Sequence, residues 1–246
     1  MKYSRKFTTK WHDTDANRIV TTSKILMYMQ ETGNLQCKEY GNPLDEMRDE
    51  KGQGFILGSL QLRVFKPIYA YEDIEVVTWC REARGFSFLR YFEIIRDGER
   101  VAAASSTWAL VDINNKALVR GDESMDKFYP IDEPMDESIL PKKVRIKRDV
   151  PLTWIGERKI MFSDIDYNMH MNNTKYPDMV FDFLPDKEGK YISEIALSYV
   201  KEAHYDDTVS VNLGSLDDNG YLDVVTKNSA GERCLECRVK LEKVQS

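Results

Sequence analysis

The chain has 246 residues, 42% hydrophobic and 31% charged, with a formal net charge of -6. That length holds one large domain or two small ones, and the acidic balance argues against nucleic acid, whose binding proteins show a basic face. No run reaches the roughly eighteen apolar residues of a membrane-spanning helix. The basic N-terminus lacks the apolar stretch of a signal peptide, and four cysteines make no disulfide scaffold, so a reduced, cytoplasmic compartment is expected.

The first strand-like segment, "RKFTTKW", runs into "DTDANRIVTTSKI" at 13–25. A helix then begins, with Ile25, Leu26, Tyr28 and Met29 among its first apolar residues, and Gly41 is its natural stop. Four strand-like segments follow: "SLQLRVFKP", "DIEVVTWC", "FSFLRYFEII" and "RVAAASSTWALVD". Asp97-Gly98 has the composition of a hairpin turn. The stretch from 125 to 150 is rich in proline and shifts from acidic to basic, as linkers do. Its basic cluster, Lys142, Lys143, Arg145, Lys147 and Arg148, is either a solvated linker or edge strand, or a dock for an acidic partner.

Beyond it the pattern begins again. "RKIMF" leads into "DIDYNMHMNNTKY" at 164–176. Tyr176, Met179, Val180, Phe183 and Leu184 then recur at the spacing of one helix face, and Pro177 is tolerated in a first turn. Four more strands close the chain: "EIALSYV", "TVSVNLGSL", "YLDVVTKN" and "RCLECRVKLEKV". Asn219-Gly220 is a second hairpin-type dipeptide. Cys234 and Cys237 form a lone CxxC with no second pair to complete a zinc site. As strand residues three apart they are expected on opposite faces.

The two halves can be overlaid. Asp13 falls on Asp164, Asp15 on Asp166, Asn17 on Asn168 and Lys24 on Lys175, all at an offset of 151. Lys66 then meets Lys201 and Gly85 meets Gly220 at 135, and Gly98 meets Gly231 at 133. The drop in offset locates an insertion over 43–56 of the first half. Four matches in order indicate an internal repeat. A long helix followed by an antiparallel meander, twice over, is an α+β pattern. The expected fold is a tandem (double) hotdog, each half a long helix wrapped by an antiparallel sheet. Its units are 1–128, a linker at 129–150, and 151–246.

In an extended segment the alternation D-x-N-x-H puts Asp166, Asn168 and His170 on one side. The Asn172-Asn173 pair suits a helix start, where an amide oxygen accepts from a free backbone N–H and the remaining N–H groups can hold an oxyanion. The first half keeps Asp13, Asp15 and Asn17 but has Ile19 at the position of His170 and Pro67 at that of Glu202. Shared residues read as structural, and those confined to the second half as chemical. The other histidines, His12 and His204, lie outside the motif and read as surface or packing residues.

"SDIDYNMHMNNTKYPDMVFDFLP" resembles the D-x-D-x-N-x-H-x-N-N-x-K-Y signature of the plant and bacterial acyl-ACP thioesterases, and "LSYVKEA" is similar to their glutamate-bearing strand. The resemblance spans nearly the whole chain. It implies hydrolysis of fatty acyl-acyl-carrier-protein, with release of free fatty acid, by Asp166, Asn168, His170 and Glu202. Asn172 and Asn173 would bind substrate. The first half would shape the acyl pocket, with Ile25, Leu26, Met29 and the insertion as candidates. One departure is Ala203, where many members carry cysteine, so a cysteine–histidine mechanism cannot apply. The resemblance implies neither cofactor nor metal. It implies acyl carrier protein as partner; fused halves satisfy the pairing a single hotdog needs, so the chain is expected as a monomer or homodimer. Other readings are an acyl-CoA thioesterase, a hotdog β-hydroxyacyl dehydratase, and a non-catalytic acyl-binding protein.

Overall fold

The computed structural model describes residues 2–244. Met1, Gln245 and Ser246, assigned above to the two terminal units, lie outside the described residues. The first half runs β1 (Tyr3–Thr8), α1 (Thr22–Glu39), α2 (Leu44–Lys51), β2 (Gln53–Val64), β3 (Asp73–Cys80), β4 (Phe88–Arg96), β5 (Glu99–Asp112), β6 (Ala117–Val119) and α3 (Glu123–Asp126). The second runs β7 (Thr153–Lys159), α4 (Tyr176–Phe183), β8 (Lys190–Tyr199), β9 (Thr208–Leu213), β10 (Tyr221–Lys227) and β11 (Arg233–Lys243).

All the strands join one antiparallel sheet in the order β1-β3-β4-β5-β2-β8-β11-β10-β9-β7, with β6 on β5. The order is the same read from either edge: β1, β3, β4, β5 and β2 mirror β7, β9, β10, β11 and β8. The halves meet where β2 pairs with β8, Ser59 opposite Ser198 through Arg63 opposite Glu194. Leu60, Leu62, Ile195 and Leu197 are fully buried there, each contributing roughly 1.5–3 kcal/mol of apolar burial. Closing the seam gives each half a neighbour for the strand that would otherwise be an unpaired edge.

Two helices fill the concave face. Thr21 caps α1, accepting from Lys24 N at 3.3 Å, and Gly41 at φ 77° ends the turn beyond it, a backbone conformation glycine adopts without a Cβ clash. Ile25, Leu26 and Met29 face inward into one core cluster shared with Tyr176, Met179, Val180 and Leu184 of the α4 region. The second helix is not long, as the repeat implied. It has 8 residues against 18 in α1. Pro185 ends it by forcing the preceding residue out of the helical region, and Leu184 sits at φ -68°, ψ 140°.

The stretch 129–150 is no loose tether. Met135 and Leu140 pack with Trp79 and Tyr91 on the outer face of the sheet, and Val144 and Ile146 pack on Ala196 and Val225. Glu236 accepts from Ile146 N at 2.8 Å, and Arg233 donates to the carbonyls of Ile146 and Lys147 at 2.6 and 3.0 Å. The alternation that buries Val144 and Ile146 leaves Lys142, Lys143, Arg145, Lys147 and Arg148 exposed.

Asp97-Gly98 closes the β4–β5 hairpin with both residues at positive φ, 52° and 77°. Asn219-Gly220 instead closes a longer β9–β10 connection, where Asp217 accepts from Asn219, Gly220 and Tyr221 N–H groups. Cys234 and Cys237 do not take opposite faces. β11 bulges against β10, where Thr226 opposes Leu235 but Lys227 opposes Arg233. The extra residue shifts the alternation, and both sulfurs join the main core.

Candidate active site

The two D-x-D-x-N segments fold into the same backbone loop. In the first, Lys10 N donates to Asp13 Oδ2 at 2.8 Å, Asn17 N to Asp15 Oδ1 at 2.8 Å, and Asp15 N to Ile19 O at 2.9 Å. In the second, Met161 N donates to Asp164 Oδ2 at 3.0 Å, Asn168 N to Asp166 Oδ1 at 2.8 Å, and Asp166 N to His170 O at 3.0 Å. Arg18 and Met169 occupy matching left-handed positions, φ 64° and 65°. The shared aspartates thus satisfy turn N–H groups that a loop would otherwise leave bare. The segment is not extended. Asp166 and His170 come together because the chain doubles back, rather than by strand alternation.

The segment that follows β2 in the first half, or β8 in the second, then passes behind each loop. Ile19 bridges Tyr69, and His170 bridges His204. In the second half this brings His170 Nε2 to 3.2 Å from Glu202 Oε2. The His204 ring meets the His170 ring edge to face, centroids 4.7 Å apart. The equivalent first-half positions are Ile19, Pro67 and Tyr69, so the whole titratable constellation is confined to one half. His204, expected at the surface or in packing, is exposed and stands against His170. Its signal in the sequence is the repeat itself, which sets it opposite Tyr69. His12 is exposed and stands apart from this group.

Asn168 faces the first half. Arg48 of α2 donates to its Oδ1, the Arg48 guanidinium lies 4.4 Å over the Tyr167 ring, and the Tyr167 hydroxyl donates to Asp49 at 2.9 Å. The insertion carrying α2 is therefore latched onto the second-half loop. Under the latch lies a cavity of about 530 Å³, walled by Asp166, Tyr167, Asn168, Asn172 and Asn173 at one end and reaching into the first half past Leu44, Met47, Phe55, Phe88 and Arg90. His170 and Glu202 stand beside this wall rather than within it. Their side chains are 28% and 46% exposed.

Asn172 caps the turn preceding α4, its Oδ1 accepting from Thr174 N at 2.9 Å and Thr174 Oγ1 at 2.8 Å. Asn173 Oδ1 accepts from Gln30 Nε2 at 2.6 Å, and its carbonyl accepts from Tyr199 OH at 2.9 Å. Both asparagines line the cavity. Leu26 and Met29 do not, because their inward face of α1 is spent on the core with α4. Ile25 lines a second cavity, of about 500 Å³, beside the first-half loop. The larger cavity meets α1 further along, at Gln30, Gly33, Asn34 and Cys37.

Ala203 is fully buried in the main core, so a side chain at this position points away from solvent. All four cysteines are free and buried. Burial pushes the Cys80 thiol up to about 11, raises that of Cys37 despite the Arg90 charge beside it, and raises that of Cys234. Neutral, enclosed thiols are poor nucleophiles.

The fold and site together define the chain as a tandem hotdog with a histidine–carboxylate pair in one half, beside a largely apolar cavity. Residues 1–128 match the acyl-ACP thioesterase N-terminal domain and residues 154–243 the acyl-ACP thioesterase C-terminal domain. The chain belongs to the acyl-ACP thioesterase family. It is 22% identical over 228 residues to oleoyl-acyl carrier protein thioesterase 1, chloroplastic, of Arabidopsis thaliana, covering 85% of this chain and 62% of that one. It is 26% identical to the oleoyl-acyl carrier protein thioesterase of Coriandrum sativum, covering 85% and 61%. It thus spans about three fifths of the length of these relatives. An acyl-ACP thioesterase from Bacteroides thetaiotaomicron has the same fold, with a TM-score of 0.86 at 23% identity over 98% of both chains. So does the 12:0-ACP thioesterase of Umbellularia californica, with a TM-score of 0.84 at 18% identity over 99% and 98%. No described helix is long and apolar enough to cross a membrane.

Proposed function

We propose that the protein hydrolyses the thioester of a fatty acyl group carried on acyl carrier protein, releasing the free acid, with Glu202, His170, Asn168 and Asp166 as its working residues. The observation that carries this reading is the 3.2 Å contact between His170 Nε2 and Glu202 Oε2, on the same loop whose Asn168 walls the cavity. Glu202 takes the proton of a water that attacks the thioester carbonyl carbon, and His170 orients that water. Arg48 occupies the Oδ1 of Asn168, which leaves the amide N–H2 as donor to the oxyanion that develops. The start of α4 is less available for this task, because Asn172 already takes Thr174 N. Asp166 holds Asn168 through its backbone N–H and acts by positioning. Collapse expels a thiolate of pKa about 8.5, which needs little acid assistance. No cysteine participates.

Acyl carrier protein is acidic, and a chain of net charge -6 needs a local basic surface to meet it. The exposed lysines and arginines of the outer strap are that surface in this reading. The test is a ladder of acyl-ACPs from four to eighteen carbons with acyl-CoA controls, following free thiol and free acid. Thiol release with faster turnover of acyl-ACP supports the proposal. An enoyl product without thiol release would make the protein a dehydratase, and tight binding without turnover an acyl-binding protein.

A further inference from the structure

The cavity ends on a charge. Arg90, on β4, lines it and is buried, 9% exposed. Its partners are all neutral: Gln36 Oε1 at 2.8 Å, Thr78 Oγ1 at 3.2 Å and the Cys37 sulfur at 3.9 Å. A guanidinium has five N–H donors, so these bonds leave donors without an acceptor among the described residues. The thiols beside it do not supply the missing negative charge, since burial holds both in the neutral form. Asp126 also lines the cavity, but its Oδ1 accepts from Ala83 N at 3.4 Å and it makes no ion pair with Arg90.

Next to the guanidinium is a second orphan. The Tyr129 ring centroid lies 5.9 Å from Arg90 Cζ, and the Tyr129 hydroxyl is buried with no well-formed hydrogen bond among the described residues, only the Asn42 side chain approaching it. Buried polar groups are nearly always paired, and two unsatisfied donors converging in one cavity are costly unless a ligand completes them. The fold makes room for them. Gly33 lies mid-helix in α1, where glycine is among the least favourable residues, and a Cβ there would meet Arg90 Nη1 at 3.4 Å. Around these donors the walls are apolar, with Phe55 edge-on to Phe88 and to Tyr129, centroids 5.1 and 6.3 Å apart. A plain alkyl chain satisfies those walls and leaves both donors bare.

We propose that the cavity takes acyl chains bearing an oxygen acceptor distant from the thioester, a hydroxyl, oxo or terminal carboxylate oxygen, which accepts from Arg90 and Tyr129. This deepens the thioesterase reading and rests on it. The acyl group enters past Asn168, its methylenes lie along Phe88, Met47 and Leu44, and its oxygen completes the Arg90 shell. Arg90 and Tyr129 act as specificity determinants and take no part in bond cleavage. A site built to bond a substrate oxygen discriminates strongly against the analogue that lacks it.

The test uses acyl-ACPs of matched length in four forms: unsubstituted, hydroxylated, oxo and ω-carboxylated, with the substituent moved along the distal carbons. One oxygenated form is expected to exceed the unsubstituted chain in kcat/KM by about tenfold or more, and the ratios among the three identify the oxygen recognised. Tyr129→Phe removes only the orphan hydroxyl, so it keeps the fold, and it should reduce that ratio several-fold. Arg90→Met should abolish the preference. Binding of the corresponding free acids, followed by calorimetry, separates this inference from the catalytic one. Tighter binding of the oxygenated acid without hydrolysis of any thioester would sustain the cavity assignment and end the thioesterase reading. Preference for the unsubstituted chain over every oxygenated one, in both turnover and binding, overturns it.

Discussion

Replacing Glu202 with glutamine separates the chemistry of the site from its architecture. The carboxylate is 46% exposed and its protein partner is His170 at 3.2 Å. A half-exposed contact of this kind contributes about 0–1 kcal/mol to stability, and glutamine keeps the shape. The variant should therefore unfold within a degree or two of the parent. Its kcat should fall by roughly 10²–10⁴ as the general base is lost, equivalent to about 2.7–5.4 kcal/mol of transition-state stabilisation at 1.36 kcal/mol per decade. His170→Ala should cost a similar factor, and the double variant little more, because groups acting as a unit are not additive. The assay is thiol release from acyl-ACP under saturation, with thermal unfolding of each variant. The first-half control is Pro67→Ala, at the position aligned with Glu202, which should leave kcat unchanged. If Glu202→Gln retained activity within threefold of the parent, or lost it only by unfolding, the assignment of the chemistry to this half would fail.

A chain with Cys37, Cys80, Cys234 and Cys237 all changed to alanine should lose about 1 kcal/mol of stability per site yet keep most of its activity below its unfolding temperature; inactivation traceable to one cysteine would refute the water mechanism. Reversing Lys142, Lys143 and Lys147 to glutamate should raise KM for acyl-ACP, more at low salt than at high, and leave hydrolysis of small acyl-pantetheine analogues unchanged. An equal KM at low salt would move the dock elsewhere. Asp178 bridges the halves, accepting from Thr21 Oγ1 and Ser23 N at 3.3 Å each, and burial raises its carboxyl above the ordinary 3.8. A raised folded-state value means that its stabilisation is complete below the unfolded value and is lost as pH rises through the folded one. Asp178→Asn should therefore gain on the parent in unfolding temperature as the pH is raised from below 3.8 toward neutrality, and parallel curves for the two proteins would show that the raised value is absent.

The sequence by itself determined what depends on neighbours along the chain. Turn chemistry is local, so the paired aspartates and glycines of the repeat mark the same loops in both halves: Gly98 and Gly231 both sit at φ 77°, and Lys66–Glu99 and Lys201–Glu232 are matching ion pairs. Helix faces and strand alternation follow from the period of the backbone, and with the repeat they give the tandem architecture. The loss of His170 and Glu202 from the first copy was equally legible, since it needs only the overlay. Tertiary structure decided what depends on contacts between distant segments. Whether Leu26 and Met29 meet a ligand or a core depends on what α4 presses against them. Proline 185 fixes how little of α4 there is to do so. Arg48 reaches Asn168 across 120 residues, a latch no periodicity encodes, because the insertion that carries it has no counterpart in the second half. The orphaned donors of Arg90 and Tyr129 exist only once β4 and the connector after α3 are folded around a cavity. Hydrogen-bond satisfaction is a property of the packed whole, and a linear pattern carries no record of the partner that is missing.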